Sequence, residues 1–164
     1  MSIFIGLGAN LPSVAGAPQA TLEAALAQLA AAGVRILRRS RWYSSPAWPN
    51  PADPEFVNAV VEAETPLDPK ALLRLLHAIE AALGRERGAP NAPRAIDLDL
   101  LDYRGAVEAG PEGPVLPHPR LHHRAFVLLP LAEIASGWRH PVSRRAVEEL
   151  IAALGPDAAA KPLD

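Results

Sequence analysis

No cysteine occurs in this chain, so a disulfide framework, a thiolate nucleophile and a zinc–thiolate centre are all excluded. Lysine is nearly as scarce. Of the 16 basic residues 14 are arginine, and only Lys70 and Lys161 are lysine. Eighteen acidic residues bring the net charge to −2, which leaves no global basic field of the kind non-specific nucleic-acid binding depends on. No apolar run approaches the length of a membrane span, and Met1-Ser2-Ile3-Phe4 lacks the basic start of a signal peptide. The expectation is a cytoplasmic protein with no membrane or nucleic-acid partner. A length of 164 residues and 49% hydrophobic content predict one domain with a real core, spanning 1–164.

The densest chemistry lies in Arg94-Ala95-Ile96-Asp97-Leu98-Asp99-Leu100-Leu101, where apolar and acidic residues alternate with period two. That pattern predicts a strand with Ile96, Leu98 and Leu100 in a core. Asp97 and Asp99 then share the opposite face, their Cα atoms about 7 Å apart by strand rise. Like charges this close repel unless a cation lies between them, and paired hard oxygens suit Mg²⁺, which completes its shell with waters and substrate phosphates. Arg85, Arg87 and Arg94 precede the pair in a segment rich in glycine and proline, which predicts a loop. Guanidinium forks match phosphate oxygens, so the combination points to a polyphosphate substrate.

The remaining pattern predicts strands over 2–9, Val34 to Tyr43 and Phe56 to Glu64. Helices are predicted from Pro18 to Gly33 and from Asp68-Pro69 to Gly84. With the aspartate strand the order is βαββαβ, an α+β ferredoxin-like core with helices over one face of the sheet. A C-terminal extension follows: a hairpin near Gly105 to Glu108, an apolar segment from Phe126 to Ile134 interrupted by Pro130, and a helix from about Ser143. Residues 155–164 are expected to fray. The four-proline loop over 44–54 holds Trp48, a large aromatic expected to cover something. His118, His122 and His123 are too irregularly spaced, without cysteine, for a zinc cluster. His118 suits a phosphate or ribose contact, and His122 and His123 are expected at the surface.

Five blocks in order resemble the 6-hydroxymethyl-7,8-dihydropterin pyrophosphokinase family. They are Gly6-Leu7-Gly8-Ala9-Asn10, Tyr43-Ser44-Ser45-Pro46, Phe56-Val57-Asn58-Ala59, Pro93 to Leu101, and Leu116 to Phe126. The resemblance implies transfer of pyrophosphate from ATP to the pterin's hydroxymethyl group, leaving AMP, in folate biosynthesis. It implies that Asp97 and Asp99 hold two Mg²⁺ ions and that Arg85 and Arg94 stabilise the developing charge. Glu80, Arg87, Leu100, His118 and Arg124 match ATP-site positions. Phe56 and Phe126 match aromatics that sandwich the pterin, with Ser45, Pro46, Trp48 and Asn58 lining the same pocket. The enzyme so implied acts as a monomer. This chain departs from the family pattern at Asn91, Gly113, Val115, His77 and Phe56, none of which is in the metal pair or the catalytic arginines. A two-metal nucleotidyltransferase or cyclase on the same sheet is the nearest alternative, and it would release pyrophosphate instead of AMP. An RNA-binding βαββαβ module is disfavoured, since Asp97 and Asp99 would repel phosphates without a metal.

Overall fold

Alternation builds the first strand. β1 runs Ile3–Ala9, sending Ile3, Ile5, Leu7 and Ala9 into one core and Phe4 into another. The computed structural model describes residues 2–47, 52–84, 95–111, 113–155 and 159–163. After β1 comes helix α1 (Pro18–Ala31), with proline in its first turn and Gly33 at φ 87° just beyond its end. Strands β2 (Arg35–Arg39), β3 (Tyr43–Ser45) and β4 (Phe56–Glu64) follow. Helix α2 (Pro69–Ala82) is capped by Asp68, whose carboxylate accepts the Ala71 N–H at 2.7 Å. Next are β5 (Asp97–Tyr103), a 3₁₀ turn (Leu121–His123), α3 (Ala125–Ile134), α4 (Val147–Ala152) and β6 (Lys161–Pro162).

The strands form one antiparallel sheet in the order β5-β1-β4-β3-β6, with β2 alongside the C-terminal half of β4. This is the expected ferredoxin-like plan, with two differences in its strands. The predicted second strand is broken into β2 and β3, because the β2 register shifts between Ile36 and Arg38 and the chain then turns inward at Ser40. Ser40 is buried and bonds Val60 both ways, its backbone N–H donating to the Val60 carbonyl and its hydroxyl accepting the Val60 N–H. The predicted hairpin near Gly105 to Glu108 reduces to a turn and one bridge. Arg104 and Gly105 turn the chain at positive φ, and among the described residues Glu108 forms a single bridge, with Leu116.

A larger correction concerns the faces of the sheet. Helices cover both, not one. α1 and α2 close the first core against Ile5, Leu7, Val61, Leu98 and Leu100. Phe4, Val60 and Leu101 project from the other face, and leaving each in water would forfeit about 1.5–3 kcal/mol. Val127, Leu128, Leu131 and Ile134 of α3, with Val147 and Leu150 of α4, cover them. α3 is the predicted apolar segment, and its helix passes through Pro130. α4 starts at Val147, later than the predicted Ser143, because 139–146 form a closed loop in which Arg139 pairs with Ala146. The expected fraying after Gly155 is corrected at Lys161–Pro162, which pair with β3, and Leu163 N–H donates to Trp42 O at 2.7 Å.

His140 secures that closed loop. Its buried Nδ1 accepts the N–H groups of Val142 and Ser143 at 3.1 and 3.2 Å. Trp138 meets the ring edge-on and donates its indole N–H to Asp102 at 2.9 Å. His122 also reaches this group, half-buried with its ring 5.7 Å from that of His140, so it is not the surface residue its sequence neighbours suggest. Burial, and then the proximity of His122, hold the His140 pKa below its ordinary value despite the opposing pull of Asp102. His122 is lowered likewise, by burial and then His123.

A histidine whose folded pKa lies below its unfolded value near 6.5 favours folding fully above that value and loses the benefit as pH falls. Protonation would also place a proton on Nδ1 against two N–H donors. The urea midpoint is therefore expected to fall between pH 7.5 and 5.5. His140→Asn, which keeps an acceptor and cannot titrate, should flatten that dependence.

Candidate active site

β1 lies between β5 and β4, and its register decides what meets on the second face. Gly8 is opposite Asp97 on one side and Asn58 on the other; Gly6 is opposite Asp99 and Val60. The glycines place no side chains of their own between these strands, an opening that Leu101 meets over Gly6 and Asn58 over Gly8. At Gly8 that opening is required: a Cβ there would sit 2.9 Å from Asn58 Oδ1. Asn58 is buried, and its Nδ2 donates to Ser45 Oγ at 2.8 Å. Phe56 is two residues before Asn58 on the same face of β4, half-buried, and half-buried Phe126 is in the first turn of α3 over that face. The sheet thus brings Asp97, Asp99, Asn58, Ser45, Phe56 and Phe126 to one side.

Asp97 and Asp99 are half-buried, as the alternation predicts, with Ile96, Leu98 and Leu100 in the first core. Two groups approach Asp99 from the second face. His118 Nε2 is 3.9 Å from Oδ1 and Arg124 Nη1 is 3.9 Å from Oδ2. Both distances lie beyond hydrogen-bond length. Arg124 also lies 5.3 Å over the Phe126 ring, linking the acidic side of the site to its aromatic side. Burial, and then the Arg124 charge, push His118 down to about 4; the pull of Asp97 is too weak to offset them, and Arg120 adds to the depression. His118 is neutral at physiological pH. Its Nδ1 accepts the Arg120 N–H at 3.1 Å, which assigns the ring proton to Nε2, on the side of Asp99.

Two predicted site residues stand elsewhere. Leu100 is buried in the first core, so its side chain faces away from the acidic pair. Glu80 is buried on α2, and its carboxylate accepts the Leu98 N–H at 2.7 Å, which anchors the outer edge of β5 between the two aspartates. Pro46 is exposed just past β3. Arg85, Arg87, Arg94 and Trp48 lie outside the described residues. Sequence reasoning gave no role to Asn10, which is buried and donates to Pro54 O at 3.1 Å, tying the end of β1 to the end of the proline-rich loop. Its place directly after Gly6-Leu7-Gly8-Ala9 was the available signal. Among the described residues no cluster of three or more His, Asp or Glu is arranged to hold a metal ion by itself.

A family model described as 7,8-dihydro-6-hydroxymethylpterin-pyrophosphokinase (HPPK) matches residues 4–136. The 2-amino-4-hydroxy-6-hydroxymethyldihydropteridine pyrophosphokinase of Methylorubrum extorquens is 42% identical over 154 residues, covering 93% of both chains. The protein of the same name from Synechocystis sp. is 40% identical over 148 residues, which cover 90% of this chain and 73% of its own. The crystal structure of Plasmodium falciparum HPPK-DHPS wild type superposes with a TM-score of 0.67 at 15% identity. That match covers 92% of this chain but 40% of the Plasmodium chain, and is a likeness of fold.

Gly8→Ala is expected to destabilise the protein by about 1–3 kcal/mol, because the new methyl group drives into Asn58. Gly6→Ala should change stability by less than about 1 kcal/mol, since its methyl would meet the Leu101 side chain at an ordinary contact distance of 3.4 Å. Urea unfolding of the two variants checks the contrast.

Proposed function

The chain belongs to the 7,8-dihydro-6-hydroxymethylpterin-pyrophosphokinase family, and from that premise we propose how its residues serve the family's reaction. It is an ATP-dependent diphosphotransferase: it moves pyrophosphate from ATP to the hydroxymethyl group of 6-hydroxymethyl-7,8-dihydropterin, giving AMP and the pterin diphosphate, in folate biosynthesis. The observation that carries the assignment of its site is that Asp97 and Asp99 share a half-buried face with Asn58 across the bare floor of Gly8.

The donors at Asp97 and Asp99 are hard carboxylate oxygens, which fit Mg²⁺ better than a softer metal. Asp97 and Asp99 would hold two Mg²⁺ ions, which when bound neutralise the polyphosphate and support attacking and leaving oxygens in an in-line displacement. Arg124 provides a guanidinium for the same phosphates. His118 supplies an uncharged Nε2–H donor there. Arg85 and Arg94 meet the charge that grows in the transition state, and Arg87 helps hold ATP. Glu80 serves the nucleotide side by fixing the edge of β5, and a Leu100 contact with ATP would run through its backbone.

The pterin binds on the Asn58 side. Phe56 and Phe126 stack on its ring, while Asn58, with an amide that both donates and accepts, reads its edge. Ser45 and Pro46 line the pocket and Trp48 covers it. The 164 residues form a single domain that acts as a cytoplasmic monomer. Helices of the same chain cover both sheet faces, and none among the described residues is long and apolar enough to cross a membrane.

With ATP, Mg²⁺ and 6-hydroxymethyl-7,8-dihydropterin, AMP should appear one-for-one with the pterin diphosphate. Pyrophosphate released without the pterin would instead support nucleotidyl transfer. Asp97→Ala and Asp99→Ala should each lower kcat by about 10³-fold or more, from the loss of several kcal/mol of charge stabilisation, with circular dichroism unchanged. Near-normal turnover in either variant would overturn the metal assignment. Arg94→Ala should reduce kcat by about 10²–10³-fold and raise KM far less, because its partner charge develops in the transition state.

A further inference from the structure

α3 makes two separate contributions on one of its faces. Phe126 and Glu133 are seven residues apart, two turns of helix, and so lie on the same side about 10 Å apart along the axis. Phe126 is over the pterin side of the site. Glu133, at the other end, is held by three bonds from β3 and the chain leading into it. Its Oε2 accepts the Arg41 backbone N–H at 2.6 Å, and its Oε1 accepts Arg41 Nε at 2.7 Å and the Tyr43 hydroxyl at 3.0 Å. Partial burial alone would raise the Glu133 pKa, but the bonds from Arg41 and Tyr43 hold it below its ordinary value. The carboxylate is ionised when it makes these contacts, and charge-assisted bonds of this kind are the stronger ones.

The strand so held is short. β3 has three residues, paired with β4 along one edge and with the two residues of β6 along the other. Few ladder bonds set its inclination to the sheet. Tyr43 and Ser45 alternate onto the same face. Tyr43 is the cross-strand partner of Asn58, and Ser45 takes the Asn58 amide hydrogen bond. Any shift of Tyr43 is therefore felt directly by the two polar groups on the pterin side.

We propose that Glu133 is a positioning residue for the pterin: it pins Tyr43–Ser45 to α3 and so fixes the gap between the Asn58–Ser45 wall and Phe126. The inference rests on the assignment of Ser45, Phe56, Asn58 and Phe126 to the pterin site. Misplacing a binding wall by a fraction of an ångström is felt mainly by the substrate that touches it.

The experiment measures KM for both substrates, kcat and melting temperature for Glu133→Ala, Glu133→Gln and Tyr43→Phe, with Asn58→Ala as the reference for the pocket itself. Glu133→Ala should raise the pterin KM about 10-fold and leave the ATP KM within about two-fold. Glu133→Gln, which keeps an acceptor for the Arg41 N–H and the Tyr43 hydroxyl, should recover most of the loss. Tyr43→Phe should raise the pterin KM by a smaller factor, and adding it to Glu133→Ala should have no further effect. A merely structural role would lower the melting temperature without separating the two KM values. An unchanged pterin KM in Glu133→Ala, with a raised one in Asn58→Ala, overturns the positioning role alone. An unchanged pterin KM in Asn58→Ala overturns the pocket assignment and the inference with it. Should Glu133→Ala fail to fold, the pterin KM of Glu133→Gln and Tyr43→Phe decides: a rise in Tyr43→Phe supports the role, and ordinary values in both overturn it.

Discussion

The site depends on one register, that of β1 between its two neighbours. Ladder pairing sets Gly8 between Asp97 and Asn58, and Gly6 between Asp99 and Val60. Side chains alternate with period two, so a slip of one residue would turn Ile5 and Leu7 toward the site and the glycines into the core. The apolar set on β1 makes such a slip costly. Ile3, Ile5, Leu7 and Ala9 are all essentially buried against α1 and α2. Burial of Ile3, Ile5 and Leu7 contributes about 1.5–3 kcal/mol per side chain. The hydrophobic core on one face thereby specifies, through the pleat, the position of an opening on the other.

Electrostatics at that opening combine charged and neutral partners. Two carboxylates whose Cα atoms are about 7 Å apart on one strand face repel each other, less where water enters. Arg124 brings a guanidinium to 3.9 Å from Asp99, a charge pair at the edge of that opening. His118, the other neighbour of Asp99, could have been a second cation. Burial outweighs the attraction of Asp97, and Arg124 opposes its protonation, so it stays neutral. A neutral imidazole donates a hydrogen bond without competing with a metal for the carboxylates. Two carboxylates, one guanidinium and one neutral imidazole thus stand together on a single face of the sheet.

Local signals in the sequence carried a good part of this arrangement. The alternation around Asp97 and Asp99 identifies β5 and its two faces, and the Asp68-Pro69 pair marks the first turn of α2. What failed to show locally was set by contacts distant in sequence. β2 and β3 read as one strand because the break between them comes from Ser40 bonding Val60, twenty residues away. The two-residue β6 has no pattern of its own and exists only because β3 presents an open edge. The Leu98 N–H that Glu80 accepts lies eighteen residues further along the chain, beyond the reach of any local pattern. Asn58 and Gly8 are fifty residues apart, and only the register shows that one makes room for the other. Arg85, Arg87, Arg94 and Trp48 were legible as a chemical type, and their places in the site rest on the family pattern.

The second face of the sheet explains why the C-terminal extension belongs to the fold and the site at once. Toward one end it is apolar, with Phe4, Val60 and Leu101 requiring cover; toward the other it is open and polar, with Gly8, Asn58 and Asp97. A single helix spans the boundary. Val127, Leu128, Leu131 and Ile134 of α3 bury the dry half, while Arg124 and Phe126 stand at its N-terminal end by the open half. Removing the helix would uncover the apolar residues and take away Arg124 and Phe126 together. Packing of one half therefore sets the geometry of the other. The Glu133 latch extends the same logic along α3: a helix held in place by a core can hold, in turn, a strand too short to hold itself.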